Sequence, residues 1–295
     1  MMSRQAWESE YPSFESVYGV DFSGAKLAGR TTWVARLERG TWRRRGPALR
    51  LAELACLEKL CGTAERAAAL AHLVALIAGS QGALWALDFP FGLPVEVMEP
   101  GAAWADQLAF LRTWGEDAYG VGVECLRRAR RLGGPNHIRR QTDHEARAPF
   151  DCYHYRIIYQ TFHGMRDVLG PLRRDRATAV LPFQYRRLAE ARRVLVEACP
   201  ASTLRRLGLP HQNYKSSDPP PLAGRFRRVR RRILEGLAGR VQIRPGRQRD
   251  LLGDPGGDAL DALLAAVGAA QAWQAADHHG IARHERYPRE GRLFF

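Results

Sequence analysis

Lysine is nearly missing from this chain, although the chain is strongly basic. Only three of the 295 residues are lysines, yet 45 Lys and Arg against 31 Asp and Glu leave a formal net charge of +14. Arginine therefore carries almost all of the positive charge, and its guanidinium binds phosphate through two parallel hydrogen bonds. A field of this sign attracts polyanions, so we expect nucleic acid, DNA or RNA, as partner. Codon bias in a GC-rich genome would give the same composition, so charge alone does not identify that partner.

The chain also lacks a long apolar run and a C-x-x-C motif. Its best apolar stretch, residues 67–79, contains His72 and is shorter than the ~20 residues of a membrane span. The N-terminal residues have no apolar core of the kind found in signal peptides. Five cysteines without a C-x-x-C pair make a disulfide framework or a zinc knuckle an unlikely design. We therefore expect a cytoplasmic protein that does not enter the membrane.

The hydrophobic pattern predicts an α/β fold with a mixed sheet flanked by helices. Predicted strands cover 17–22, 31–37, 41–51 (after a hairpin at 39–40), 83–88 and 193–198. Predicted helices cover 63–78, 104–114, 121–132, 223–237 and 258–276. We expect a single domain over 13–285, with its core at about 15–94 and 190–280. A helical insertion would occupy about 95–189, and residues 1–12 would form a flexible arm.

Three of the predicted strands carry one acidic residue at or near their ends. These are Asp21 in VYGVDFSG, Asp88 in ALWALDFPFG and Glu197 in RVLVEACPA. A lone carboxylate at a strand end can simply accept nearby backbone N–H groups. Three of them on neighbouring strands would instead meet, and their charges would then need a cation. Oxygen ligands without Cys or His favour Mg²⁺ or Mn²⁺.

Two further acids open the last predicted helix. Asp258 and Asp261 are three residues apart and therefore share one helix face, directly after the glycine-rich turn GDPGG. They can serve as helix-capping and first-turn acids. They can also point into the cluster formed by the strand acids, and we expect this of Asp261 in particular.

A family resemblance is carried by five segments in this order: VYGVDFSGAKLAG, ALDFPFGLP, YQTFHGMRDVL, VEACPASTLRRLGLP and GDALDALLAAVGAAQAW. Over roughly residues 17–273 the chain resembles a family of predicted nucleases with a ribonuclease-H-like fold. DALDALLAA is also similar to the last motif of RuvC-type resolvases, where an acid or histidine precedes the metal-binding aspartate by three residues. The resemblance implies that Asp21, Asp88 and Asp261 are metal ligands, with Asp258 as the partner of Asp261. Glu197 fits the predicted nucleases but has no counterpart in the resolvases.

If the resemblance holds, the activity is that of a metal-dependent nuclease. Carboxylates would hold two divalent ions ~3.5–4 Å apart, and phosphodiester hydrolysis would use both ions. Asp21 would bridge the ions, and Asp88 and Asp261 would each hold one side. Glu197 and Asp258 would complete the catalytic set.

Other polar residues are candidates for substrate binding. Lys26 follows Asp21 by five residues and is either a phosphate ligand or an exposed loop lysine. The predicted insertion contributes a polar and basic set that could bind substrate or transfer protons. The set comprises Arg139, Arg140, Thr142, Asp143, Arg147, Gln160, His163 and Arg166, and we add Lys215 from the next loop. Nearby, Tyr153, Tyr155 and Tyr159 would either stack on bases or, as we favour, pack in the core.

The predicted helix at 223–237 is dense in arginine. Phe226, Val229, Ile233 and Leu237 form its apolar stripe. Six arginines are predicted to share the remaining surface: Arg225, Arg227, Arg228, Arg230, Arg231 and Arg232. Because no acid balances them before Glu235, we expect this helix, through Arg228 and Arg231, to contact a phosphate backbone.

Two other functions remain open. GVDFSGAKLAG is similar to the first phosphate loop of small-molecule kinases with the actin-like fold, which use ATP. These kinases also need an adenosine-binding Gly-Gly turn and two similar halves, for which Gly256-Gly257 and the chain length are poor matches. The third possibility is a non-catalytic nucleic-acid-binding module in which the acids are structural.

Overall fold

A mixed seven-stranded sheet forms the centre of the fold, which confirms the predicted α/β class. The computed structural model describes residues 11–39, 49–216 and 223–295. The strands lie in the order β5–β6–β4–β1–β2–β3–β7. Their bounds are β1 Ser16–Asp21, β2 Trp33–Arg39, β3 Leu49–Cys56, β4 Ala83–Asp88, β5 Thr178–Val180, β6 Arg193–Glu197 and β7 Val241–Gln242.

Strand β1 lies at the change of direction in the sheet. It pairs antiparallel with β2, which pairs antiparallel with β3, and it pairs parallel with β4 on its other side. Strands β4, β6 and β5 continue in parallel. The carboxyl ends of β1, β4 and β6 therefore meet at the same edge, where open α/β sheets usually bind their ligands.

Helices cover both faces of the sheet. Leu260, Leu263 and Leu264 of the longest helix share one core with Ile233 and Leu251, whereas Leu70, Leu108 and Phe162 belong to the core on the opposite face. No helix in the described ranges is both long and apolar enough to cross a lipid bilayer. The helix bounds are α1 Ala28–Thr31, α2 Leu57–Cys61, α3 Arg66–Gly79, α4 Trp104–Arg112, α5 Ala118–Arg131, α6 Gln141–Glu145, α7 Ile158–His163, α8 Gly170–Leu172, α9 Pro200–Arg206, α10 Gly224–Leu237, α11 Pro245–Gly253, α12 Asp258–Ala275, α13 His278–Arg283 and α14 Tyr287–Glu290. A π-helical turn at Gly164–Leu169 joins α7 to α8, and short 3₁₀ turns lie at Val95–Val97 and Tyr185–Arg187.

Helix α12 packs unusually close to β1. A Cβ atom placed on Gly19 would lie 2.0 Å from the carbonyl oxygen of Ala262 and 2.5 Å from the backbone nitrogen of Ala266. The glycine in the strand and the alanines in the helix therefore let the two backbones approach. Gly19 and Asp21 lie on the same face of β1, and Asp261 precedes Ala262, so this contact brings the two aspartates together.

Several predicted elements differ from those observed. The third strand runs to Cys56, five residues past its predicted end at 51. Its predicted start at 41 and part of the predicted hairpin at 39–40 fall in residues 40–48, outside the described ranges. Most of the predicted arm at 1–12 is outside them too. The predicted helical insertion also contains a strand, β5, because a three-residue edge strand is too short to show an alternating pattern.

The residues that follow the predicted domain boundary at 285 are part of the fold. Tyr287, Glu290 and Phe294 are buried. Leu293 forms a parallel bridge with Glu197, and the Phe294 N–H donates to the Glu197 carbonyl at 2.8 Å. This segment thus lies against the end of β6, beside the edge that carries the acids.

Candidate metal centre

Two aspartates stand side by side where β1 and β4 end. In the parallel pairing of these strands Asp21 lies opposite Asp88, so both side chains leave the same face of the sheet. Apolar residues precede each aspartate, Val20 in β1 and Leu87 in β4, and both are fully buried. The strands therefore end with their carboxylates at the border between the core and the cleft.

The third aspartate comes from the first turns of α12. Gly257 precedes the helix with a φ of 85°, a left-handed conformation that glycine adopts without strain. The Asp254 carboxylate accepts the Ala259 N–H at 3.1 Å and so satisfies one free amide of the helix start. Asp261 lies one turn into the helix, next to Ala262, which contacts Gly19 of β1, so its carboxylate is beside the sheet.

A buried arginine holds the turn in front of α12. Arg230 of α10 donates to the carbonyl of Tyr214 at 2.6 Å and to that of Pro255 at 3.0 Å, and it also bonds the carbonyls of Leu251 and Asp254. Its guanidinium therefore joins the loop that carries Lys215 to the turn that precedes α12. The prediction that Arg230 lies on the solvated face of its helix is wrong.

The carboxylates of Asp21, Asp88 and Asp261 form one compact cluster. Each contributes an oxygen atom, and these atoms all lie within 4.8 Å of one another. Asp21 and Asp261 are buried, with exposed fractions of 7% and 1%, and Asp88 is half-buried. The three residues come from distant parts of the chain, so the fold alone creates their proximity.

Burial and mutual repulsion raise the pKa values of two carboxylates of the cluster, those of Asp88 and Asp21. Burial, with the carboxylates of Asp261 and Glu197, raises the pKa of Asp88 to about 8 even though Lys215 opposes the shift. Burial also raises the pKa of Asp21 well above its usual range, and the carboxylates of Asp258, Asp261 and Asp88 add to this effect. Like charges so close favour protonation unless a cation compensates them.

Lys215 and Tyr214 supply part of that compensation. The Lys215 ammonium forms an ion pair with Asp261, and the Tyr214 hydroxyl donates to the same carboxylate at 2.9 Å. Burial lowers the pKa of Lys215, but the carboxylates of Asp261 and Asp21 outweigh it and raise that pKa well above its usual value. One ammonium against three carboxylates leaves the cluster negative when all three are ionised.

The donor set fits a hard divalent cation. It consists of carboxylate oxygens alone, at a spacing that one ion or a close pair can bridge, and this is the chemistry that Mg²⁺ and Mn²⁺ prefer. A divalent ion would also offset the charge that now raises the pKa values of Asp21 and Asp88. Asp21, Asp88 and Asp261 are therefore the residues that would hold it.

Asp258 lies beside the cluster rather than within it. It is half-buried one turn before Asp261, and burial together with the Asp254 carboxylate raises its pKa to about 7. Its charge also raises the pKa of Asp21. Asp258 thus acts on the cluster electrostatically.

Glu197 does not join the three aspartates. In the β4–β6 pairing it lies opposite Leu87, one residue before Asp88, so its side chain leaves the other face of the sheet. There it binds Arg140, whose Nη1 donates to it at 2.9 Å, while Arg140 Nη2 donates to Asp143 at 2.7 Å. All three residues are buried, so the predicted substrate ligand Asp143 is one partner of an internal ion-pair network.

A cleft of about 410 Å³ connects these groups. Its walls include the aspartate cluster, Lys215, and the Arg140, Asp143 and Glu197 network. Gln160 also lines it and donates through Nε2 to the Phe22 carbonyl at 2.7 Å, one residue past Asp21. Four of the predicted site residues other than the three aspartates thus line one cleft: Asp143, Gln160, Glu197 and Lys215. Asp258 is not among the lining residues and acts on the cluster through its charge.

The other predicted substrate ligands do not line this cleft. Lys26 is exposed in the loop after β1. His163 is fully buried with its Nδ1 atom 2.8 Å from Asp167, and Arg166 binds Asp167 and Glu116. Arg228 and Arg231 are exposed on α10, together with Arg225, Arg227 and Arg232.

Sequence reasoning missed the observed role of two residues at the site. The Tyr214 hydroxyl donates to Asp261. The only feature of the sequence that could have indicated this role is that Tyr214 precedes Lys215. Arg140 had been grouped with possible substrate ligands, yet its guanidinium is fully engaged in the interior. The i, i+3 spacing to Asp143 was the available signal for that ion pair.

No family model, curated protein or solved structure matches this chain.

Proposed function

We propose that the protein is a metal-dependent nuclease that hydrolyses phosphodiester bonds of nucleic acid. The observation that carries the proposal is the convergence of Asp21, Asp88 and Asp261 within 4.8 Å in a cleft of a strongly basic protein. An acidic cluster in a chain of net charge +14 points to a divalent ion rather than to a cationic substrate. The resemblance to predicted nucleases with a ribonuclease-H-like fold agrees with the parallel strand ends that carry these acids.

Each residue of the cleft has a defined part in this proposal. Asp21, Asp88 and Asp261 would hold Mg²⁺ or Mn²⁺, and such an ion would supply the positive charge that phosphodiester hydrolysis needs at the attacking water and the leaving oxygen. Lys215, already in contact with Asp261, would bind a non-bridging phosphate oxygen. Gln160 would orient the substrate, and its bond to the Phe22 carbonyl keeps it beside the end of β1.

A basic surface outside the cleft supports a polyanionic substrate. Helix α10 exposes Arg225, Arg227, Arg228, Arg231 and Arg232, while its buried Arg230 holds the loops that carry Lys215 and lead into α12. We propose that Arg228 and Arg231 contact the phosphate backbone. As a separate proposal, which rests on the sequence expectation alone, the protein acts in the cytoplasm.

The direct test is a cleavage assay with labelled single-stranded, duplex and branched DNA and RNA. Cleavage in Mg²⁺ or Mn²⁺, its loss in chelator, and its loss in Asp21→Asn would support the proposal. The matched control is Asp250→Asn, which changes a half-buried aspartate that does not line the cleft and whose carboxylate lies 3.8 Å from Arg247. A folded protein that cleaves none of these substrates with either ion would contradict it.

The two other functions give different results in the same series. A kinase would show a large thermal shift with ATP and Mg²⁺ and no cleavage. A binding module would hold nucleic acid with a steep salt dependence, and Asp21→Asn would leave its affinity unchanged.

A further inference from the structure

One wall of the cleft carries aromatic side chains on its outer side. Residues 148–160 form this wall, and Phe150, Ile157 and Gln160 of this segment line the cleft. We call Phe150, His154, Tyr155 and Arg156 the outer aromatic surface.

The members of the outer aromatic surface contact one another in series. The ring centroids of Phe150 and His154 are 4.6 Å apart, and those of His154 and Tyr155 are 4.5 Å apart. The Arg156 guanidinium lies 5.5 Å from the Phe150 centroid, and its Nε donates to the Tyr155 hydroxyl at 3.2 Å. The rings and the guanidinium therefore form one continuous surface that begins at the cleft.

Core packing does not account for this surface. Tyr155 is 64% exposed and Arg156 is exposed, whereas their neighbour Tyr153 is 1% exposed. Tyr159, close by on α7, is 44% exposed. The expectation that these tyrosines pack in the core is thus right for Tyr153 and wrong for Tyr155 and Tyr159.

Hydrogen bonds from Tyr153 and Thr161 hold the backbone of the segment that carries the exposed rings. The Tyr153 hydroxyl donates to the Asn136 carbonyl at 2.9 Å, and the Thr161 hydroxyl donates to the Cys152 carbonyl at 2.6 Å. Ring faces held in place by such anchors need little further ordering when a flat ligand stacks on them.

We propose that the outer aromatic surface stacks the bases of a single-stranded nucleic acid whose backbone enters the cleft. This inference rests on the proposed function and names its substrate class. Aromatic rings beside arginine are the usual means of binding unpaired bases, because every base offers a flat face. In a duplex these faces are covered by neighbouring bases. A cleft of about 410 Å³ is also of the size that takes a small ligand, such as a single nucleotide.

Positively charged side chains lie near the outer aromatic surface, as the binding of a nucleic-acid strand requires. Arg156 is part of the surface, and Arg139 lies beside the cleft wall, where its guanidinium donates to the Ala148 carbonyl at 2.7 Å. Arg147 is exposed in the adjoining turn. Bases on the rings and phosphates near these arginines would lead one strand toward Lys215 and the aspartates.

The test measures binding in chelator, where the proposed chemistry is off. Fluorescence anisotropy would give the dissociation constants of short labelled single strands and matching duplexes, as DNA and as RNA. Tyr155→Ala should weaken single-strand binding by about 5-fold or more and change duplex binding by less than about 2-fold. Tyr155→Phe should retain the affinity because it keeps the ring. The control is Tyr119→Ala, which removes a similarly exposed tyrosine (59%) on α5, outside the wall formed by residues 148–160.

The outcomes separate this inference from the proposed function. Unchanged single-strand affinity in Tyr155→Ala, or an equal loss for single strands and duplexes, would overturn the stacking surface whatever the cleavage assay shows. A selective loss in a protein that cleaves nothing would keep the stacking surface and reject the nuclease. A preference of the wild type for RNA or for DNA single strands would identify the source of the strand.

Discussion

Asp21 and Asp88 lie opposite each other at the last pair of the parallel β1–β4 ladder. Their side chains therefore leave the same face of the sheet, and Asp261 approaches that face from α12. The close contact between Gly19 and the backbone of Ala262 sets this approach. The acidic cluster is thus a consequence of strand register and of one helix–strand contact.

The aspartate cluster, together with Asp258 beside it, makes the stability of the metal-free protein depend on pH. The pKa values of Asp88, about 8, and Asp258, about 7, lie above the ~3.9 of an aspartate in an unfolded chain. Between these values the folded state binds more protons than the unfolded state, so the contribution of these groups to stability falls as pH rises from about 4 to about 8. Asp88→Asn should flatten this fall. Urea denaturation of both proteins in chelator, from about pH 5 to about pH 9, measures it, and superimposable pH profiles would contradict it.

Gly19→Ala should disrupt the fold at the contact between β1 and α12. The added Cβ would meet backbone atoms of Ala262 and Ala266, which cannot move without shifting the helix. We expect a loss of about 1–3 kcal/mol or more in the free energy of unfolding, together with weaker divalent-ion binding. Gly79→Ala is the control, because a Cβ there meets open space at the end of α3. Equal free energies of unfolding for the two variants would show that α12 does not pack against β1 as described.

Arg140→Met should destabilise the protein strongly. It leaves Glu197 and Asp143 buried without their shared cation, and breaking a buried pair in this way costs about 3–5 kcal/mol. The double variant Arg140→Met with Glu197→Gln should lose less than the sum of the single losses. As a comparison, Arg127→Met removes an exposed arginine from Glu124, which keeps its ion pair with Arg128, and should cost less than about 1 kcal/mol. Denaturant unfolding measures each value, and strict additivity would rule out the network.

Much of the site could be predicted because its acidic residues lie where an apolar strand ends or an apolar helix begins. Asp21 and Asp88 each end an apolar strand, and Asp261 opens an apolar helix, so the sequence predicted all three as cluster members. Glu197 has the same signature but lies on the other face of the sheet. Glu197 pairs with Leu87 rather than with Asp88, a difference of one residue in the register of β4 and β6. A single sequence does not reveal strand register.

The position of Arg230 in the sequence of α10 already indicated that this arginine is buried. Arg230 lies four residues after Phe226 and three before Ile233, on the buried stripe of α10. Its charge suggested solvent, but four backbone carbonyls, of Tyr214, of Leu251 in α11 and of Asp254 and Pro255 after α11, satisfy it in the interior. Those partners are distant in sequence, so only the tertiary structure reveals why an arginine can occupy this position.

Calorimetric titration of the metal-free protein with Mn²⁺ tests the central claim most directly. If Asp21, Asp88 and Asp261 form a divalent-ion site, the wild type binds Mn²⁺, and Asp88→Asn lowers the affinity at least about 10-fold, since even outer-shell changes cost 10–100-fold. Asp250→Asn binds as the wild type does. A folded wild type that takes up no Mn²⁺, or an Asp88→Asn variant with undiminished affinity, would contradict the account.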